Sequence, residues 1–365
     1  MEIGNVGIIG AGTMGSGIAT NLAQHGFHVR LIDARPEAAA AARGQARIFY
    51  ARSVERGRMR AEDADAAATR LEVGHAPEEL ADCDLVIEAV FEDFDIKARL
   101  FERLSGIVGL SCLVATNTSA LRVSDLAAHM AQPGRFLGLH YFSPAAVNPV
   151  VEVVKGEQTD ERTIEMALAF CAASGKQALR CKDSYGFAIN RFFCPYTNEA
   201  VRALDDGVAS TGEIDEAAKE VVGAAAGPFA VMNLIKPRIN LHAIRNLAPL
   251  GPFYAPARSM VEVGEADRPW TIEPAAEPSL ERRRRAGEYL LRGIFLPVLQ
   301  ALDEDVAAPA DFDRGALQAL KFGEGPCALM DRLGRAEVER IVAPALETYG
   351  IAAPRSLARV GSLLA

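Results

Sequence analysis

The short apolar stretch Ile3 to Gly10 (IGNVGIIG) reads as a β-strand, and Gly10-Ala11-Gly12-Thr13-Met14-Gly15 follows it at once and opens the amphipathic stretch Ser16 to His25. Strand, glycine turn and helix in that order constrain the fold strongly. In such a unit Gly10 permits the tight turn, Gly12 lets the backbone approach a pyrophosphate, and Gly15 lets the helix pack closely on the strand. The helix N-terminus, which begins with Thr13 and Met14, then supplies the anion site. A second strand, Val29 to Ile32, ends in Asp33, about 20 residues past the glycines, where a carboxylate can accept both hydroxyls of an adenosine ribose. That favours NAD over NADP, because the same carboxylate repels a 2′-phosphate. Arg35 is the residue that could pair with such a phosphate, and the competing reading of Asp33 is a helix-capping carboxylate before Pro36.

At 365 residues the chain exceeds what one core usually supports, so about two or three domains are expected. The net charge of −9 argues against general attraction to nucleic acid or to anionic membranes. No uninterrupted apolar run reaches the roughly 20 residues of a membrane span. The six cysteines are scattered, without a C-x-x-C pair or a His at metal-ligand spacing, so reduced, buried thiols and no metal are expected. No secretory pattern follows Met1, and a cytoplasmic location is expected.

From Arg35 to Arg70 the chain reads as a helical hairpin interrupted near Gly57. Arg43, Arg47, Arg52, Arg56, Arg58 and Arg60 give it a positive density suited to the phosphates of a nucleotide-tailed substrate, although such residues are usually a solvated face. Asp84 to Glu88 and Leu113 to Thr116 read as buried parallel strands, with a helical stretch Ile96 to Leu104 between them. Ligands of doubly wound sheets lie beyond the carboxyl ends of the strands, which places Glu92 and Asn117-Thr118-Ser119 at the cleft. Phe136 to His140 is another strand, and a turn at Ser143-Pro144 leads into Val150-Val151-Glu152-Val153-Val154. Valines on both faces of that last strand imply that Glu152 is buried, and a buried carboxylate needs a partner. His140 is the candidate. A carboxylate on one imidazole nitrogen fixes the tautomer and stabilises the protonated ring, so that the other nitrogen can remove an alcohol proton.

Seven blocks, Gly10 to Ala19, Asp33, Asp84 to Val90 (DLVIEAV), Asn117-Thr118-Ser119, His140 to Pro144 (HYFSP), Val151-Glu152-Val153 and Lys182 to Arg191 (KDSYGFAINR), stand in the order and spacing of the 3-hydroxyacyl-CoA dehydrogenases, which the chain resembles over most of its length. The resemblance implies His140 as catalytic base and Glu152 as its orienting carboxylate. It implies that Ser119 contacts the substrate oxygen and the nicotinamide region, that Asn190 holds the thioester-side oxygens, and that Glu92 and Lys97, together with Asn117 at the same edge, contact the cofactor. The reaction so implied is the reversible NAD-dependent oxidation of a (3S)-3-hydroxyacyl-CoA to the 3-oxoacyl-CoA, as in fatty-acid β-oxidation. Dehydrogenation of a non-CoA hydroxy acid on the same scaffold, and a non-catalytic nucleotide-binding or structural role, are the alternatives.

Past Asp183 long helical stretches are expected, and they repeat. Ala203-Leu204-Asp205-Asp206-Gly207-Val208-Ala209 recurs as Ala301-Leu302-Asp303-Glu304-Asp305-Val306-Ala307, and Gly227-Pro228 recurs as Gly325-Pro326, both 98 positions on (203 to 301, 227 to 325). The fold class expected is therefore an α/β N-terminal Rossmann-like doubly wound sheet followed by tandem duplicated all-α domains. The expected limits are 1–182 for the NAD-binding domain, 183–246 for the first helical domain, 247–278 for a Pro-rich linker (Pro249, Pro252, Pro256, Pro269, Pro274, Pro278) and 279–365 for a degenerate second copy. Such a tandem resembles the dehydrogenase part of multifunctional fatty-acid oxidation proteins, in which the second copy stands where a partner subunit's domain would pack. A monomer with an intramolecular pseudo-dimer, or a homodimer, is expected, and any hydratase or thiolase partner should be a separate chain. Glu288 holds the register of Asn190, so the second copy is expected to be structural. Asn233, where the family commonly has Asp, and Asn148-Pro149 bear on acyl chain length.

Overall fold

The computed structural model describes residues 3–274 and 279–365; Pro278, assigned above to the linker, lies outside the described residues. The chain divides into two compact units, one ending at Asp183 and the other beginning at Ser184.

The first unit holds the strands β1 (Asn5–Ile9), β2 (His28–Ile32), β3 (Leu71–Val73), β4 (Leu85–Glu88), β5 (Leu113–Thr116), β6 (Phe136–Tyr141), β7 (Val150–Lys155) and β8 (Gln177–Lys182). They form one sheet in the order β3-β2-β1-β4-β5-β6-β7-β8. Every neighbouring pair is parallel except β6 and β7. Parallel neighbours require crossovers, which α1 (Thr13–Gln24), the hairpin α2 (Pro36–Glu55) and α3 (Ala61–Arg70), α4 (Phe94–Ser105), α5 (Val123–Ala127) and α6 (Glu161–Ala173) supply. All residues of β4, β5 and β6 are buried, as their near-continuous apolar runs predict for strands covered on both faces. Strand order reverses between β1 and β4, which makes their carboxyl ends the topological switch point of the sheet. The antiparallel step follows from chain length, because the connection from Tyr141 to Val150 is too short for a crossover helix. It sets His140 directly opposite Glu152.

The second unit is helical: α7 (Asn190–Asp205), α8 (Thr211–Val222), α9 (Pro228–Ile235), α10 (Pro237–Arg245), α11 (Arg258–Glu265), α12 (Leu280–Asp303), α13 (Pro309–Gln318), α14 (Pro326–Leu333) and α15 (Arg335–Tyr349). Helices α8, α9 and α10 recur as α13, α14 and α15 in the 98-residue register, down to single contacts. Asp215 accepts hydrogen bonds from the amides of Phe229 and Ala230, and Asp313 accepts them from the equivalent Cys327 and Ala328. The two copies also exchange reciprocal pairs, with Arg191 bonded to Glu304 and, in the mirrored positions, Tyr289 bonded to Asp206.

The linker expected over 247–278 is corrected by its described part. Residues 247–274 contain α11 and bury Phe253, Tyr254, Met260 and Trp270. Asn198 on α7 donates to Ala255 O and accepts from Ala257 N, and Asn233 on α9 accepts from and donates to the backbone of Trp270. Pro249 and Pro252 sit in the first turns of 3₁₀ helices, where a missing N–H costs nothing. This segment therefore belongs to the body of the helical unit, and Asn233 is occupied in holding it.

Three non-glycine residues with positive φ mark where the copies diverged. Lys236 (φ 76), Asp305 (φ 51) and Lys321 (φ 60) stand in the register of Gly334 (φ 82), Gly207 (φ 66) and Gly223 (φ 62). At Lys236 the backbone (φ 76, ψ 130) lies in a region that only glycine adopts easily. Lys236→Gly is expected to stabilise the protein by about 1 kcal/mol, the relieved strain of about 1–3 kcal/mol less the extra entropy of an unfolded glycine. A denaturation midpoint equal to or below that of the unsubstituted protein would contradict this.

Candidate active site

The glycine loop joins β1 to α1 at the switch point. Gly10 has φ +105, and a Cβ there would lie 2.4 Å from Ala89 O; a Cβ on Gly15 would lie 1.8 Å from Gly10 O. Gly12, by contrast, meets nothing within 4 Å and faces open space. Helix α1 has no side-chain cap and no acidic residue in its first turn, so the amides at Thr13, Met14 and Gly15 present positive dipole ends to an anion. Asp33 ties this loop to the end of β2, accepting from Ala11 N at 2.7 Å and from Arg35 N at 2.9 Å. Each carboxylate oxygen retains lone-pair capacity for a ribose hydroxyl. Loop, helix end and carboxylate together fit the pyrophosphate and adenosine ribose of a dinucleotide.

A buried ionic network organises the next two strand ends. Lys97 on α4 is 1% exposed, and its ammonium lies 2.8 Å from both Glu88 and Glu92. Glu88, the last residue of β4, also accepts from Val90 N and from the Thr116 hydroxyl, while Glu92 accepts from the Thr118 hydroxyl and Ser119 N. Burial pushes the Glu88 carboxyl up, and Lys97 opposes that only in part. Burial acts the same way on Glu92, but Lys97 together with the hydrogen bonds from Thr118 and Ser119 N outweighs it and holds Glu92 below its ordinary value. Lys97 is raised, because its two carboxylates overcome the desolvation that would lower it. Glu88 and Thr116 are site residues that the sequence reading does not single out, whereas Thr118 lies in the loop it places at the cleft. The signal for Glu88 was present: a carboxylate closing the apolar run Leu85-Val86-Ile87 demands a buried cation.

His140 Nδ1 lies 2.6 Å from Glu152 Oε2, with Glu152 0% exposed and His140 6% exposed. Asn117 accepts from Tyr141 N, which ties the end of the histidine strand to the loop that carries Ser119. The sheet thus brings Gly10, Gly12, Gly15, Asp33, Glu92, Lys97, Asn117, Ser119, His140 and Glu152 into one unit, at or near its carboxyl edge. Asn190 is the first residue of α7 in the second unit. Its register mate Glu288 is engaged by Arg284 and Arg340 within that unit. All six cysteines are buried, and none of them forms a disulfide. Among the described residues no cluster of His, Cys, Asp and Glu suits a metal ion, and no helix is long and apolar enough to cross a membrane.

Beside α1, a cavity of about 740 Å³ opens between the hairpin and the loop after β6, with Arg52, Arg56 and Arg58 on one wall and Phe49, Met59 and Val147 among its apolar residues. Arg60, also part of the arginine-rich hairpin, is paired instead with Asp63.

A dinucleotide cradle at a switch point, with a buried His–Glu pair on the same sheet and a helical second unit, defines a nicotinamide-dependent dehydrogenase. The chain belongs to the 3-hydroxyacyl-CoA dehydrogenase family: residues 5–184 match its NAD binding domain and residues 186–272 its C-terminal domain. NAD is accordingly its cofactor, and the protein is an NAD-dependent oxidoreductase. It is 36% identical over 235 residues to a probable 3-hydroxybutyryl-CoA dehydrogenase of Bacillus subtilis, covering 64% of this chain and 82% of that one. It is 37% identical over 240 residues to the 3-hydroxyadipyl-CoA dehydrogenase of Escherichia coli, covering 66% of this chain and 50% of that longer one. The crystal structure of 3-hydroxybutyryl-CoA dehydrogenase from E. coli superposes with a TM-score of 0.89 at 25% identity, over 100% of this chain and 99% of that one.

Proposed function

We propose that the protein oxidises (3S)-3-hydroxyacyl-CoA esters to 3-oxoacyl-CoA, reversibly, with His140 as the base that receives the C3 hydroxyl proton. The observation that carries this is the 2.6 Å contact between His140 Nδ1 and the buried Glu152 carboxylate. With Nδ1 committed to Glu152, the tautomer is set so that Nε2 is the nitrogen that meets the hydroxyl, and the carboxylate stabilises the imidazolium that forms. NAD, when bound, would supply the acceptor for the hydride that leaves C3 of the substrate. Ser119, its backbone anchored by Glu92, donates to the substrate oxygen and keeps it in line with His140. Asn190 serves the thioester-side oxygen. Gly10, Gly12, Thr13, Met14, Gly15 and Asp33 hold the pyrophosphate and adenosine ribose, while Glu92 and Asn117 border the nicotinamide side and Lys97 supports Glu92 from beneath.

The substrate's CoA phosphates fit the arginine wall of the hairpin cavity, and guanidinium groups suit them because they bind phosphate oxygens bidentately. Arg52→Ala with Arg56→Ala is expected to raise KM for 3-hydroxybutyryl-CoA by about tenfold, the loss of one or two charge-assisted contacts. KM for the N-acetylcysteamine thioester, which lacks the nucleotide, should not move. Equal effects on both substrates would place the CoA tail elsewhere.

The reciprocal pairs Arg191–Glu304 and Tyr289–Asp206 support a monomer whose two helical copies pair with each other as two subunits would. Sedimentation as a dimer at micromolar concentration would overturn that reading.

A further inference from the structure

The eight residues between β6 and β7 connect the strand of His140 to the strand of Glu152 and wall the cavity below the hairpin, and their support comes from an unexpected group. Lys176, immediately before β8, is 6% exposed, and its ammonium donates to Ala145 O at 2.8 Å and to Asn148 O at 2.7 Å. Those two carbonyls belong to a single turn closed by Val147 N and Asn148 N, which both donate to Pro144 O. Asn148 then turns its own side-chain oxygen to Val150 N at the start of β7. On its other side the turn lies against α1, where a Cβ on Gly17 would sit 3.1 Å from the Ala145 side chain. The Lys176 ammonium is therefore the fastening of a loop that touches the cofactor helix, the substrate cavity and both strands of the His–Glu pair.

We propose that Lys176 is a positioning residue for the acyl-CoA site, acting by holding the 144–148 turn in the shape that receives the substrate, and that this hold weakens under mildly alkaline conditions. The inference rests on the acyl-CoA reading given above. Burial lowers the Lys176 ammonium to about 8, with Cys171 on α6 the group that opposes this slightly. The other ionisable groups lining the cavity are His25 on α1 and the cations Arg52, Arg56 and Arg58 of the hairpin, none of which offers Lys176 a negative charge. A neutral amine keeps N–H groups for both carbonyls, but hydrogen bonds from an ammonium are about twice as strong. Loss of the proton therefore loosens the turn without abolishing it.

Four measurements test this. KM for 3-hydroxybutyryl-CoA in the unsubstituted enzyme should rise about fivefold between pH 7 and pH 9 with a midpoint near 8, with a smaller change in kcat, because charge assistance is lost at two bonds. Lys176→Met should show at pH 7 a KM at least as high as the unsubstituted enzyme shows at pH 9, without the midpoint. Lys176→Arg, which stays charged, should lack the midpoint as well but keep the lower KM. Hydrogen exchange at Val147 and Asn148 reads the turn without any substrate, and their protection factors should fall through the same midpoint. A lysine of merely structural value would lower the melting temperature on substitution and leave the KM profile and the exchange midpoint unmoved. A flat KM from pH 7 to 9 together with constant protection at Val147 and Asn148 would overturn the proposal. Failure to turn over any CoA ester would overturn the acyl-CoA reading instead, and the exchange measurement would still decide the role of Lys176.

Discussion

His140→Gln is expected to lower kcat by about 10²–10⁴-fold, the usual contribution of a positioned general base, while the dissociation constant for NADH stays within about twofold. Glutamine is close in size and its amide can still donate to Glu152 Oε2, so the buried carboxylate keeps a partner and the fold should survive. What is lost is the nitrogen that receives a proton. Glu152→Gln should produce a comparable fall, because an amide donor or acceptor at Nδ1 no longer fixes the tautomer or stabilises the charged ring. Because the two side chains act as a unit, the double variant should be little worse than either single one. Full activity in His140→Gln would remove the proposed mechanism even if the reaction were right.

Lys97→Met is expected to cost about 3–5 kcal/mol of stability, the penalty for leaving buried charge without its counter-ion. Two carboxylates, Glu88 at the end of β4 and Glu92 in the loop before α4, lean on the one ammonium. The loss should depend on pH with a definite sign. Burial already raises the Glu88 carboxyl, and removing Lys97 removes its largest opposing influence. A carboxyl whose value in the folded state lies above that in the unfolded chain binds more protons when folded. Stability then falls as pH rises from about 4.3 toward the folded-state value. The variant should therefore sit nearest the unsubstituted protein around pH 5 and furthest from it near pH 8 in urea melts. With Glu92 no longer held, its anchor on Ser119 N and the Thr118 hydroxyl weakens, and NAD affinity should drop as well. A variant equally stable at pH 5 and pH 8 would contradict this account of the network.

Much of the first unit was legible in the sequence because its constraints are local. Gly10, Gly12 and Gly15 at fixed spacing, and Asp33 at a strand end, each answer to a backbone or charge requirement that acts within about twenty residues. The His140–Glu152 pair could be anticipated because a glutamate within a run of valines has few ways to be satisfied. Glu88 and Lys97 demanded the same reasoning, but Lys97 lies around a loop and one turn into α4, where the pattern resembles an ordinary solvated helix face. Lys176 was invisible, since its partners are backbone carbonyls that leave no trace in side-chain type. The segment 247–274 was misread for a different reason. Its prolines suggest a linker, whereas Pro249 and Pro252 occupy first turns of 3₁₀ helices, and the anchoring contacts come from Asn198 and Asn233, which lie 14 or more residues before the segment in sequence. The duplicated helical register was readable, but the pairs Arg191–Glu304 and Tyr289–Asp206, each joining one of α7 and α12 to the residue just past the end of the other, are tertiary contacts that the local pattern does not announce.

The most direct test of the central claim is the initial rate of NADH formation, followed by absorbance, with the purified protein, NAD and (3S)-3-hydroxyacyl-CoA esters of short, medium and aromatic acyl groups beside free 3-hydroxy acids. NAD-dependent turnover of at least one CoA ester, abolished in His140→Gln, is the predicted result. No turnover of any CoA ester, with a free hydroxy acid oxidised instead, would contradict the account.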